Sequence, residues 1–399
     1  MVASLPMRRL ILPLLLCFAG SACGADFLWV QTVAPPTTTT TSTSTTTTTR
    51  PTTTSTRPPT STTTATTAPQ STTTAVPAAS PLLLLEAAPL PAPTPPQASP
   101  APLTGLPMDP GRVGRPVLVV KVDNAPKARP QVGLNQADVV FEEGVEGGIT
   151  RFAVLFHSKD SDPVGPVRSA RSTDIALVTP LNHPLFAYSG ANDVFKEYVA
   201  RAPVVDVGYD AHPDRYHRDG GRPPPNNLFS ASKTLFDLTP AGSPAPPPLF
   251  LYRAPGEAAG GAGARPAARA QVWWRGEIRE TVAVWAWDGT AQGWRRTQNG
   301  EAHSDGAGQQ VTPANVIVQY VTYKDTGFVD STGSPVPEAE VVGEGDAVIL
   351  TGGLAVPARW SKPSASEVTR YVDAAGAEIR LAPGQTWVEL VPPGQGDIS

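Results

Sequence analysis

Hydrophobic and polar positions change rhythm along this chain. An apolar run, Leu10 to Ala19, is followed by a long stretch poor in large apolar side chains, and regular periodicity returns only after Leu103. From there the pattern predicts a buried strand over Val117 to Val122. Two further strands, Ala137 to Phe141 and Ile149 to Phe156, flank the turn Gly144-Val-Glu-Gly-Gly148 and are expected to pair as a hairpin. Ser172 to Val178 reads as a helix with Asp174 in its first turn. Leu185 to Tyr188 reads as a strand, Asn192 to Arg201 as an amphipathic helix and Val204 to Val207 as another strand. The region 240–270 is rich in Pro, Gly and Ala and interrupts the pattern. Beyond it, Gln271 to Ile278, Thr281 to Trp287, Val316 to Tyr323, Ala347 to Leu350 and Thr386 to Leu390 alternate in the strand manner. Turn signals stand at Asp288-Gly289, Asp325-Thr-Gly327 and Pro383-Gly384.

The N-terminus changes the setting of this body. Arg8 and Arg9 precede the apolar run, and Gly20, Ser21 and Ala22 follow it, which is the form of a signal peptide. About ten residues of helix span only ~15 Å, half the hydrocarbon thickness, so the run is too short to cross a membrane. The small residues lead into Cys23 in the manner of a bacterial lipobox, although Gly20 stands where Leu is usual. Diacylation of Cys23 would anchor the chain stably, since two acyl chains suffice where one is marginal. Ordinary secretory cleavage between Ala22 and Ala25 is the alternative, and would release the protein. The expected location is the outer face of the bacterial cytoplasmic membrane, lipid-anchored, with secretion as the alternative.

Between Thr37 and Thr74 the chain is almost wholly Thr, Ser, Pro and Ala, and it then turns Pro/Ala-rich up to Pro102. Such a composition cannot bury a core. As a flexible coil, about 80 residues span ~50 Å, enough to carry a folded body away from a membrane. Cys17 and Cys23 are the two cysteines, so the mature body has no disulfide and no thiol chemistry. The expected division is a signal peptide (1–22), a lipidated N-terminus and disordered tether (23–102), a mixed α/β domain (103–245), a linker or surface loop (246–270) and a mainly β domain (271–399). The fold class is α+β.

Several short blocks carry a resemblance. Pro102-Leu-Thr-Gly-Leu-Pro107, Val122-Asp-Asn124, Ala128-Arg-Pro-Gln131, Gln136-Ala-Asp138, Glu146-Gly-Gly-Ile-Thr-Arg151 and Gly165-Pro-Val-Arg-Ser-Ala-Arg171 occur in order, followed by Pro313-Ala-Asn-Val-Ile-Val318 and the stretch 376–391. This series resembles the YerB-like bacterial lipoprotein family, built on domain of unknown function 3048. The resemblance implies a lipoprotein with two mixed domains and supplies no activity. Where the family usually has His in a Pro-His-Asn segment, this chain reads Pro225-Asn226-Asn227.

Three groups of residues carry candidate chemistry. Arg168, Ser169, Arg171 and Ser172 lead into a helix, and Arg151 could join them; guanidinium groups beside free backbone N–H groups bind phosphate or carboxylate. The same arginines could instead pair with Asp123, Asp138, Glu142, Glu143 or Glu146 and hold the domain together. Asp210, His212, Asp214, His217 and Asp219 are residue types that suit a divalent cation, but Pro213 and Gly220-Gly221 place them on a loop, so no metal and no cofactor are expected. Trp273, Trp274, Trp285, Trp287, Trp294, Trp360 and Trp387 read as sheet core or as platforms for a ligand. A formal net charge of −4 gives no footprint for nucleic acid. The reading preferred is a non-catalytic binding lipoprotein whose partners are the membrane, through its anchor, and a cell-wall or anionic polymer ligand. An envelope hydrolase using residues 210–219 is the alternative.

Overall fold

The computed structural model describes residues 100–330 and 333–399. Cys23, the signal peptide and nearly all of the tether lie outside the described residues. The strand Leu118–Asp123 is buried at every position, as expected of a strand covered on both faces. It pairs antiparallel with Thr150–Phe156 and parallel with Leu185–Ala187. Val139–Gly144 and Thr150–Phe156 form the expected antiparallel pair around the glycine turn. On its other side Val139–Gly144 runs parallel to Thr386–Val391, with Val139 opposite Thr386 and Glu143 opposite Leu390.

That parallel pair joins in space what the sequence keeps apart. Asn315–Tyr320, Gly343–Thr351, Leu354–Lys362 and Arg370–Asp373 continue the same sheet, which reaches eleven strands. The segment 246–270, expected as a linker or surface loop, is paired at two places: Arg265–Pro266 joins the large sheet beside Leu354 and Ala355, and Leu251–Tyr252 forms a separate two-stranded sheet with Arg380–Leu381. Periodicity reveals which residues extend but not which edges meet, so this junction was invisible in the pattern.

Helices α1 (Ser172–Val178) and α2 (Asp193–Arg201) cover one face of the sheet. Asn192 caps α2 by accepting a hydrogen bond from Phe195 N at 3.0 Å, and Phe195 and Val199, four positions apart, supply its buried stripe. The other face packs on α3 (Ser232–Phe236) and on a five-stranded sheet that includes Arg269–Arg275, Glu280–Asp288 and Gly293–Gln298. Trp285 and Trp387 meet edge to face there, ring centroids 5.2 Å apart, and Trp294 is fully buried. Trp274, Trp285, Trp294 and Trp387 are buried, whereas Trp273 and Trp287 are half-buried. No described helix is long and apolar enough to cross a membrane.

Candidate functional site

The glycine turn sets the site. Gly147 and Gly148 both adopt left-handed backbone (φ 68° and 79°), which only glycine takes without strain, and the chain reverses there within three residues. A Cβ on Gly148 would stand 2.0 Å from the Arg279 carbonyl oxygen and 2.6 Å from Gly276 N, so the turn lies directly against the turn between Arg269–Arg275 and Glu280–Asp288. Thr281 Oγ1 donates to Gly148 O at 2.9 Å and fastens the contact. Pinned in this way, the turn aims the Glu146 side chain inward.

Glu146 meets two arginines. Its Oε1 lies 2.6 Å from Arg171 Nε and its Oε2 3.9 Å from Arg151 Nη2, with all three residues about 5% exposed. Arg151 opens a strand, with Glu143 and Asp123 as its cross-strand neighbours, and Arg171 is the N-cap residue of α1. Burial alone would raise the Glu146 carboxyl, but the two guanidinium groups outweigh it and hold it below the usual range. Arg151 is pushed down to about 10, by burial first and by Arg171 next. Two cations thus share one carboxylate, and neither contact is bidentate.

The other predicted anion-site residues gather around this triad. Arg151 Nη1 donates to Ser169 O at 3.1 Å, while Ser169 Oγ donates to Ser189 O. Ser172 Oγ and Arg151 Nε are buried without a hydrogen-bond partner. Arg168 pairs with Asp123 at 3.1 Å and is the most accessible of the three arginines, its side chain 29% exposed. The start of α1 is taken from within, since Arg171 N donates to Asp174 Oδ2 at 2.7 Å. Asn226 Nδ2 donates to Asp123 Oδ2 at 2.6 Å.

In front of Glu146 opens a cleft of about 720 Å³. The glycine turn forms its floor, Trp274 and Ile278 one wall, Tyr323 and Pro337 the other. Tyr323 Oη is fixed there, accepting from Gly144 N at 2.8 Å and donating to Leu390 O at 2.7 Å. Ile278 is 66% exposed, the most exposed of the large apolar side chains described. The described residues lining the cleft include no histidine or cysteine.

Residues 210–219 do not converge. Asp210 pairs with Lys196, Asp214 with Arg215 and Asp219 with Arg222, and the His217 ring stacks on Phe229. Among the described residues no three His, Cys, Asp or Glu side chains stand in metal-holding proximity.

Sequence reasoning missed the buried charges that support the site. Lys121, fully buried within an apolar strand, donates to Asp174 Oδ1 at 2.7 Å and pairs with Glu143. A lysine amid Val117 to Val122 was the available signal, because an unpaired charge cannot stay in such a strand. On the opposite face Arg296 reaches Glu142 at 2.5 Å, lies over the Trp387 ring and contacts His303, which in turn meets Gln131 at 2.8 Å. Trp285 Nε1 donates to Glu389 Oε1 at 2.8 Å beside this group.

A mixed sheet buried on both faces, with two sequence segments joined edge to edge within it and an open cleft at their junction, defines an α+β protein. The chain belongs to the family described as "Protein of unknown function (DUF3048)": its N-terminal domain matches residues 103–242 and its C-terminal domain residues 275–388. YerB of Bacillus subtilis (strain 168), whose name gives lipoprotein as an inferred description, is 26% identical over 304 residues, 73% of this chain and 86% of that protein. The crystal structure of the YerB protein from Bacillus subtilis shares the fold, with a TM-score of 0.64 and 24% identity over 75% of this chain and 99% of the other.

Proposed function

We propose that this chain is a lipid-anchored binding protein of the outer face of the cytoplasmic membrane, with an anionic envelope ligand seated in the cleft over the glycine turn. Cys23 carries the anchor, and residues 23–102 give the body its reach. The observation that carries the ligand reading is the pair Arg151 and Arg171 sharing the single carboxylate of Glu146 behind an open cleft of about 720 Å³. Arg168 extends the positive side of the cluster toward solvent. The apolar walls at Trp274, Ile278 and Pro337 suit the uncharged backbone of a wall polymer, and the arginines suit its phosphate or carboxylate groups.

Two measurements test this reading. Replacing Cys23 by Ser should move the protein from the membrane fraction to the medium; a variant as membrane-bound as the parent contradicts the anchor. Equilibrium dialysis of the full chain against a phosphate-bearing wall glycopolymer should give saturable binding that weakens at high salt and in Arg171→Lys, which keeps the charge but loses the fork. Absence of saturable binding contradicts the ligand class.

A further inference from the structure

We infer that Glu146 is a resident counter-ion: it occupies the Arg151–Arg171 pair in the free protein and yields that place to a ligand oxyanion. This inference rests on the cleft reading above and adds the mode of recognition and the charge of the group recognised. Four observations support it. Glu146 lines the cleft, whereas Arg151 and Arg171 are not in its lining, so Glu146 is the member of the cluster that borders the cleft. The contacts that hold it are one close approach of 2.6 Å, not aligned as a hydrogen bond, and one of 3.9 Å. Arg151 Nε and Ser172 Oγ, nine-tenths buried or more, have no hydrogen-bond partner. The neighbouring carboxylates are engaged elsewhere, Asp123 with Arg168 and Asn226, Glu143 and Asp174 with Lys121.

Charge selects the ligand group. A monoanion leaves one positive charge of the buried pair unbalanced, as Glu146 does. A dianion balances both, and a tetrahedral phosphate monoester also offers enough acceptors for the unaligned Arg171 Nε and the vacant Arg151 Nε. The group expected at the arginines is therefore a phosphate monoester rather than a simple carboxylate. The turn backbone is fastened against Gly276 and Arg279, so the exchange is a rotation of the Glu146 side chain with the turn staying in place.

The test uses the full chain in detergent, with inorganic phosphate as probe, acetate as the carboxylate arm and chloride to match ionic strength. Glu146→Gln, which keeps the shape and removes the competing charge, should bind phosphate at least about tenfold more tightly than the parent, as expected when a competitor occupies most of the free protein. Acetate should gain less than phosphate. Equal phosphate affinity in parent and variant overturns the inference and leaves the cleft reading standing. No phosphate binding to either, together with no polymer binding, overturns both. A Glu146→Gln chain too unstable to fold alone should recover a cooperative melt in phosphate and not in chloride; failure to recover overturns the inference as well.

Discussion

At the scale of single residues, the decisive feature is how much charge this protein buries. Lys121, Arg296 and Glu142 are fully buried in one body, and the carboxyl of Glu389 is buried beside Glu142. Breaking such a pair costs about 3–5 kcal/mol, because the remaining charge is left without a partner, so these groups hold geometry more than they add stability. Glu389 is the most telling. Burial first and the Glu142 carboxylate next raise its carboxyl well above the usual range, which favours its neutral form in the folded state. The unfolded chain ionises Glu389 near 4.5, and the stability tied to the neutral form is present below that pH and lost as pH rises toward the folded value. Glu389→Gln removes this loss while keeping a hydrogen-bond acceptor for Trp285. The urea midpoint of the variant should therefore gain on that of the parent between pH 4 and pH 8; a difference independent of pH contradicts a neutral Glu389. His303 works from the other side, since burial and then Arg296 keep its ring neutral well below 6.5, and acid draws protons to the unfolded chain instead.

Among the elements, some were fully legible. Ser172–Val178 is helical over the residues the pattern names, and Asn192 caps the second helix because its side chain competes for backbone in the way that favours an N-cap. The Tyr323–Val329 and Pro335–Ala339 ribbon was not. Asp325-Thr-Gly327 reads as a turn, and Asp325 Oδ1 does accept from Gly327 N at 2.9 Å, yet this is a register shift inside a strand pair. Leu354–Lys362 escaped because Pro357 argues against a strand interior, although Pro357 sits opposite Val348 in the sheet. The arginines of the site were visible in sequence as candidates, and so was Glu146 as one of five possible partners. What selected Glu146 was the approach of two turns 130 residues apart, which local pattern does not encode. Gly148→Ala tests that approach, since its Cβ would meet the Arg279 carbonyl oxygen and its φ is left-handed. The variant should lose more than about 1 kcal/mol and bind the polymer more weakly; a neutral effect on both contradicts the turn contact as what positions Glu146.

For the whole molecule, the parallel pairing of Val139–Glu143 with Thr386–Leu390 makes the two family segments one sheet, and the cleft lies where they meet. Its floor comes from residues 144–148 and its walls from residues 274–278, 322–325 and 335–337. Under the proposed function, the membrane link at Cys23 and the cleft are separate devices, one for location and one for recognition. The most direct test of the central claim is amide hydrogen exchange on the full chain, with and without a phosphate-bearing wall glycopolymer at saturating concentration. The account predicts ligand-dependent protection concentrated at residues 144–148, 274–278 and 322–325. Protection confined to residues 210–219, or no protection at the glycine turn under saturation, would contradict it.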